Sequence, residues 1–411
     1  MHTVGLCGMT TTPTPPESNE SALDQLHRLL RRVTWSTRYL PVIDGFRFLA
    51  IASVVFFHMN DRVGQNIVGG EWLRKLFSFG NIGVQLFFMI SGFVLALPFV
   101  RRYTQGGKPT LLKDYFLRRL IRIEPTYLIN LLLLFFVFGM YAKCARIPAH
   151  FCGCGNDYSH LGWSMLYLHN IRYHNFSFIN FVAWSLEIEI QFYILMPFLA
   201  WVFLRIPKAM LRRLVLVSVC IPFLVLQASQ HQARFPHGLY LFDQIQYFLL
   251  GIVVADVFLN DWDQDAREGK TGSWFNDLIA ILCWSGVPLV LAYSRYAARF
   301  AVPFLLFVAF LTSLRSVWVR RLFSNRWIAV FGGMCYTIYL YHPFLLSKVI
   351  PYFGGFAFKS YWMNLLLVMP VVFGSVLAIS AVLFLLFEKP FMMLSWRRQR
   401  ATDEPQGDAK A

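Results

Sequence analysis

Arg47 and His58 stand eleven residues apart inside one apolar stretch, Tyr39-Leu-Pro-Val-Ile-Asp-Gly-Phe-Arg-Phe-Leu-Ala-Ile-Ala-Ser-Val-Val-Phe-Phe-His-Met59. Ionisable groups in hydrocarbon are expensive, and they persist where they pair, line a cavity or react. On a helix, eleven residues make three turns plus about 20°, so both side chains share one face, about 16 Å apart along the axis. Singly, each has an ordinary explanation: Arg47 as a snorkelling side chain paired with Asp44, His58 as an interfacial residue meeting water. Their common face points instead to a functional polar track.

Other chemistry-bearing groups recur at related depths. In Trp184-Ser-Leu-Glu-Ile-Glu-Ile-Gln-Phe-Tyr193, residues Ser185, Glu189, Phe192 and Met196 fall on one helix face, whereas Glu187 lies about 160° around from Glu189. Glu189 is expected near the depth of His58, where a carboxylate could orient the imidazole or raise its basicity for general-base work; a hydrogen-bonded structural Glu is the alternative. Tyr336-Thr-Ile-Tyr-Leu-Tyr-His-Pro343 brings His342 to the same level, with Tyr336 and Tyr339 as hydrogen-bond donors or as plain aromatic packing. At the opposite level, Arg118-Arg-Leu-Ile-Arg122 follows Arg101, Arg102, Lys108 and Lys113. Guanidinium groups clustered this way suit a polyanion, since each can fork two hydrogen bonds to phosphate, although topology alone also predicts basic residues there.

The elements that must position these groups are membrane spans. Hydrophobic residues make up 57% of the 411, and this content sets the chain apart from soluble domains and identifies an integral membrane protein. Apolar runs of the required length recur near 41–60, 81–100, 119–140, 184–204, 211–229, 239–258, 277–294, 300–314, 327–350 and 363–387. The predicted fold is therefore an all-α transmembrane bundle of about ten spans, with the seventh and eighth hardest to delimit.

The net charge of +16 follows this membrane pattern and so does not imply nucleic acid. With the N-terminus cytoplasmic, inside segments carry 26 Lys and Arg against 11 outside. That asymmetry predicts both termini in the cytoplasm; the acidic stretch 261–277 is an exception with little weight.

Residues 1–38 are expected to form a polar, partly disordered tail with no signal peptide, 39–396 the membrane domain and 397–411 a second cytoplasmic tail. Cys144, Cys152 and Cys154 fall in an outer loop, where a disulfide, free thiols, or a zinc site with His150 and His160 are all compatible with the spacing; no metal is expected. Cys220, Cys283 and Cys335 lie in spans and read as small core residues.

Taken together, these motifs resemble membrane-bound acyltransferase family 3, the bacterial O-acyltransferases of surface sugars, over nearly all of residues 40–396. The resemblance rests on Ile43-Asp-Gly-Phe-Arg47 followed by His58, on Phe87-Phe-Met-Ile-Ser-Gly-Phe93 and on Arg118-Arg-x-x-Arg-Ile-x-Pro125. It continues in Trp184-Ser-Leu-x-x-Glu-x-Gln-Phe-Tyr193, Tyr336-x-x-Tyr-Leu-x-His342 and Glu388-Lys-Pro-Phe391. The chain departs from the usual pair of adjacent acids: Ile190 replaces the second, which leaves Glu189 as the matching carboxylate and Glu187 doubtful. The C-terminal esterase-like domain of some relatives is not expected in this chain.

The resemblance implies a multi-pass enzyme of the plasma (inner) membrane. Such an enzyme moves an acyl group, acetyl by default, from cytoplasmic acyl-CoA to a hydroxyl of a carbohydrate or lipid-linked sugar acceptor at the outer face. It further implies that Arg47, Arg118, Arg119 and Arg122 hold the donor's phosphates. His58, Glu189 and His342 would form the catalytic group, with His58 as base, and Ser185, Tyr336 and Tyr339 would meet substrate. A transporter or channel is the rival class, because buried charges also mark solute pathways; each motif falling once, without an inverted repeat, argues against it.

Overall fold

A backbone without water to bond must satisfy its own N–H and C=O groups, so each apolar run closes into a helix. The computed structural model describes residues 21–33, 39–63, 67–137, 157–229, 239–262, 272–352, 355–356 and 358–394. Their main helices are α1 (Ala22–Leu30), α2 (Pro41–Asn60), α3 (Gly83–Thr104), α4 (Leu112–Leu132), α5 (Trp184–Phe203) and α6 (Ala209–Ser229). They continue as α7 (Leu241–Val257), α8 (Trp274–Tyr293), α9 (Arg295–Arg315), α10 (Arg326–Gly333), α11 (Cys335–Tyr352) and α12 (Met369–Leu383). No strand occurs among the described residues beyond one isolated bridge, Val68 with Ser360.

Among the described residues nine helices are long and apolar enough to cross a membrane. The expected run at 327–350 instead folds as two pieces, α10 and α11, bent 70° against each other, and counting this pair as one crossing makes ten. Gly332 and Gly333 end α10, and paired glycines are a common cause of such a break. The seventh and eighth spans are separate helices, α8 and α9, joined at Ser294. The outer-loop cysteines and His150, the acidic residues from Asp263 to Glu268, and most of both tails lie outside the described residues.

Close packing carries the bundle where side chains are small. α3 and α7 approach so nearly that a Cβ on Gly92 would stand 2.2 Å from the Phe248 carbonyl oxygen. The α2–α10 contact is closer still: a Cβ on Gly332 would stand 1.6 Å from the Asp44 oxygen. Small residues that let helix backbones touch are the usual device for helix association in lipid. This contact matters to the site because Asp44 holds Arg47.

Candidate active site

α2, α3, α4, α5 and α11 line a half-open cavity, with about 760 Å³ of empty space when the solvent at its mouth is included. Arg47 of α2 and Arg119 and Arg122 of α4 line it, facing Glu189 and Tyr193 of α5. Arg118 does not line it, although it stands one turn before Arg122 on the same side of α4. Arg47 donates to Asp44 Oδ1 at 2.6 Å, which makes the ordinary pairing real without taking Arg47 out of the cavity. Arg119 and Arg122 have no carboxylate partner among the described residues, and Arg119 Nε is a buried donor with nothing to bond. An anion with several oxygens fits that unmet donor set.

Glu189 belongs to this basin. Its Oε1 accepts from Ser91 Oγ and from Tyr193 Oη, each at 2.6 Å, rather than from either histidine. The expected meeting of Glu189 with His58 and His342 is therefore not what the fold brings together. Depth is the reason: Glu189 lies eight residues into Phe181–Phe203, about 12 Å, whereas His58 is two residues, about 3 Å, from the end of α2. Glu187, on the other face, accepts the Asn170 backbone N–H at 2.8 Å and ties down the short helix His169–Tyr173.

The histidines do meet. His58 and His342 face each other with ring centroids 5.3 Å apart, and Phe181 packs edge-on against His58. His342 is fully buried. Its Nδ1 lies 2.8 Å from the Tyr339 carbonyl and 3.2 Å from that of Ile338. Carbonyls only accept, so Nδ1 carries the proton and Nε2 is left as a basic lone pair with no partner. The Tyr339 carbonyl is free because Pro343, four residues on, has no N–H to give it. The His-Pro pair in the sequence thus sets the tautomer.

Tyr339 joins the two halves. It lines the cavity, while its ring centroid lies 5.8 Å from that of His342. Its hydroxyl is 2.7 Å from Ser185 Oγ and donates to the Val182 carbonyl at 3.0 Å. Tyr336 also lines the cavity and donates to the Ile123 carbonyl at 2.9 Å. At the histidine end Arg62 reaches across, donating to the His58 carbonyl at 2.7 Å and to that of Pro343 at 3.4 Å, so it pins α2 to α11.

Sequence reasoning did not single out Ser91, Tyr193, Cys335 or Arg62 as site residues. Tyr193 was legible in principle, one turn beyond Glu189 on the same face. Cys335 lines the cavity beside Arg47. Among the described residues no group of His, Cys, Asp or Glu could hold a metal ion.

The family model described as "Acyltransferase domain" matches residues 40–385. A Staphylococcus aureus (strain COL) protein named "Putative O-acetyltransferase" is 27% identical over 337 residues, covering 77% of this chain and 52% of its own. "Peptidoglycan O-acetyltransferase OatA" of Listeria monocytogenes (serovar 1/2a) is 24% identical over 352 residues, covering 78% of this chain and 51% of its own. "O-acetyltransferase OatA" of Staphylococcus aureus (strain NCTC 8325) is 26% identical over 347 residues, covering 78% and 52%. The chain spans about half the length of these curated relatives. No solved structure matches it.

Proposed function

The chain belongs to the acyltransferase-domain family, and from that premise we propose that it is an integral-membrane O-acyltransferase. Its donor is cytoplasmic acyl-CoA, by default acetyl-CoA, and its acceptor a hydroxyl of an envelope saccharide. The relatives' names favour acetyl as the group and a cell-wall sugar as the acceptor class.

One observation carries the reading: unpaired guanidinium groups line one end of a cavity, and a histidine pair with a free basic nitrogen stands just beyond Tyr339. Phosphates would bond Arg119, Arg122 and Arg47, and the extended arm of the donor would bring its thioester toward the histidines. There the acceptor hydroxyl adds to the thioester carbonyl while an imidazole takes its proton. A C–O bond forms, the C–S bond breaks, and the departing thiolate recovers the proton from the imidazolium. The two facing rings give that proton two adjacent sites. Glu189, bonded to Ser91 and Tyr193, is one carboxylate facing Arg47, Arg119 and Arg122, which leaves this end of the cavity with positive charge for the phosphates.

Purified protein in liposomes with labelled acetyl-CoA and a soluble sugar acceptor tests this. Acceptor-dependent thiol release is expected, reduced at least about a hundredfold in His58→Ala, the usual scale of general-base loss. Full-rate release by that variant would remove His58 as the base, and solute flux without thiol release would replace the reading with transport.

A further inference from the structure

The segment before the family domain packs beside the arginine basin and reaches it through Asp44. The match to the family begins at residue 40, yet residues 21–33 are folded against the domain. α1 starts on Ser21, whose Oγ accepts the Asp24 N–H and donates to Asp24 Oδ2. Asp24 then pairs with Arg326 at 2.7 Å, His27 packs edge-on to Trp327, and Lys389 donates to the Leu29 carbonyl. These contacts bring the chain under α10, where the Arg32 stem lies against Gly333. Arg32 Nε donates to Asp44 Oδ2 at 2.7 Å.

Asp44 is wholly buried and divides its two oxygens between two arginines. Arg47 holds Oδ1, while Arg32 and the Tyr39 hydroxyl hold Oδ2. One carboxylate against two guanidinium groups leaves this knot with a surplus positive charge, adjoining Arg122. Without Arg32, Asp44 and Arg47 would be a neutral pair, and Oδ2, left with the Tyr39 hydroxyl alone, could draw Arg47 into a two-point contact and out of the cavity.

We infer that the N-terminal arm is a working part of the donor site, in which Arg32 acts as a positioning residue that holds Arg47 toward the cavity and keeps its arginine end cationic for a phosphate-bearing donor. This rests on the function proposed above and extends it to residues outside the family domain.

The test uses full-length protein in liposomes, measuring acetyl-CoA KM and kcat and calorimetric binding of CoA itself. Arg32→Gln is expected to raise both KM and the CoA dissociation constant about tenfold, with kcat within about twofold, and to flatten their dependence on salt. Arg32→Lys should recover part of the affinity. Asp24→Asn, which loosens the arm without touching Asp44, guards against a folding defect and should shift KM in the same direction. An Arg32→Gln protein with unchanged KM and CoA binding, when Arg122→Gln weakens both, overturns the role of the arm and leaves the pocket reading standing. Unchanged binding in Arg122→Gln as well would show that the pocket reading itself has failed. Loss of thermal stability in Arg32→Gln with no change in KM would reduce Arg32 to a structural tie and also overturn the inference.

Discussion

Among the described residues Arg119 and Arg122 have no carboxylate at ion-pair distance, and Arg119 Nε has no acceptor at all. An unmet buried guanidinium donor is a standing penalty of about 1–3 kcal/mol, or more for a charged group, that an anion can relieve. Arg119→Ala should therefore raise donor KM about tenfold or more while leaving kcat at saturating donor nearly intact; initial-rate kinetics over a range of acetyl-CoA would separate the two. His342 supports a prediction of a different kind. Pro343→Ala returns an N–H to the Tyr339 carbonyl, so the Nδ1 proton of His342 loses sole use of that acceptor and the tautomer is no longer set. Turnover should fall with donor KM unchanged, and a variant with full kcat would show that the tautomer does not matter. His169, in the loop between the third and fourth spans, carries a stability prediction. Burial, then the neighbouring His160, pushes its imidazole down to about 4. The unfolded chain thus binds the extra proton first, so stability conferred by neutral His169 is present above pH ~6.5 and is lost as the pH falls toward 4. Thermal unfolding in detergent from pH 7 to 4 should show that loss, and His169→Gln should flatten the slope.

Among the elements, α2 organises the site, because it carries both Arg47 and His58 and meets α3, α10 and α11. Its seat against α10 depends on the missing side chain at Gly332. Gly332→Val would drive a Cβ and two methyls into the Asp44 carbonyl, so α2 must move and take Asp44 and Arg47 with it. Lower thermal stability and weaker CoA binding should appear together in that variant; stability lost with CoA affinity intact would mean that the two helices can part without disturbing the basin. The helix patterns made α2, α4, α5 and α11 readable as carriers of chemistry, since shared faces follow from 100° per residue. Residue depth was harder to read. Glu189 and His58 were placed at one level by counting from apolar boundaries, and the true start of the fourth span at Phe181 puts Glu189 several residues deeper.

For the whole molecule, the number of crossings hinges on the bent pair α10–α11. Ten crossings return both ends to one side, whereas nine helices with a re-entrant pair would separate them. The excess of Lys and Arg on alternate segments favours the first arrangement. Fusing a reporter that fluoresces only in the cytoplasm to residue 411 should give signal, and a periplasmic-only reporter there should stay silent; the reverse result would make the pair re-entrant and turn the C-terminus outward.

The sequence alone determined that the chain is a membrane bundle, where most of its spans lie, and which faces carry Arg47 with His58 and Glu189 with Ser185. Each of these follows from local periodicity and from the cost of exposing polar backbone to lipid. Tertiary structure alone decided which groups meet: that Glu189 answers to Ser91 and Tyr193, that His342 rather than a carboxylate faces His58, and that Arg32 shares Asp44 with Arg47. Such partnerships depend on how far each helix is shifted along its axis and which neighbour it touches. Those shifts are set by contacts such as Gly332 on Asp44, between residues nearly 290 positions apart in the chain, and no local pattern records them.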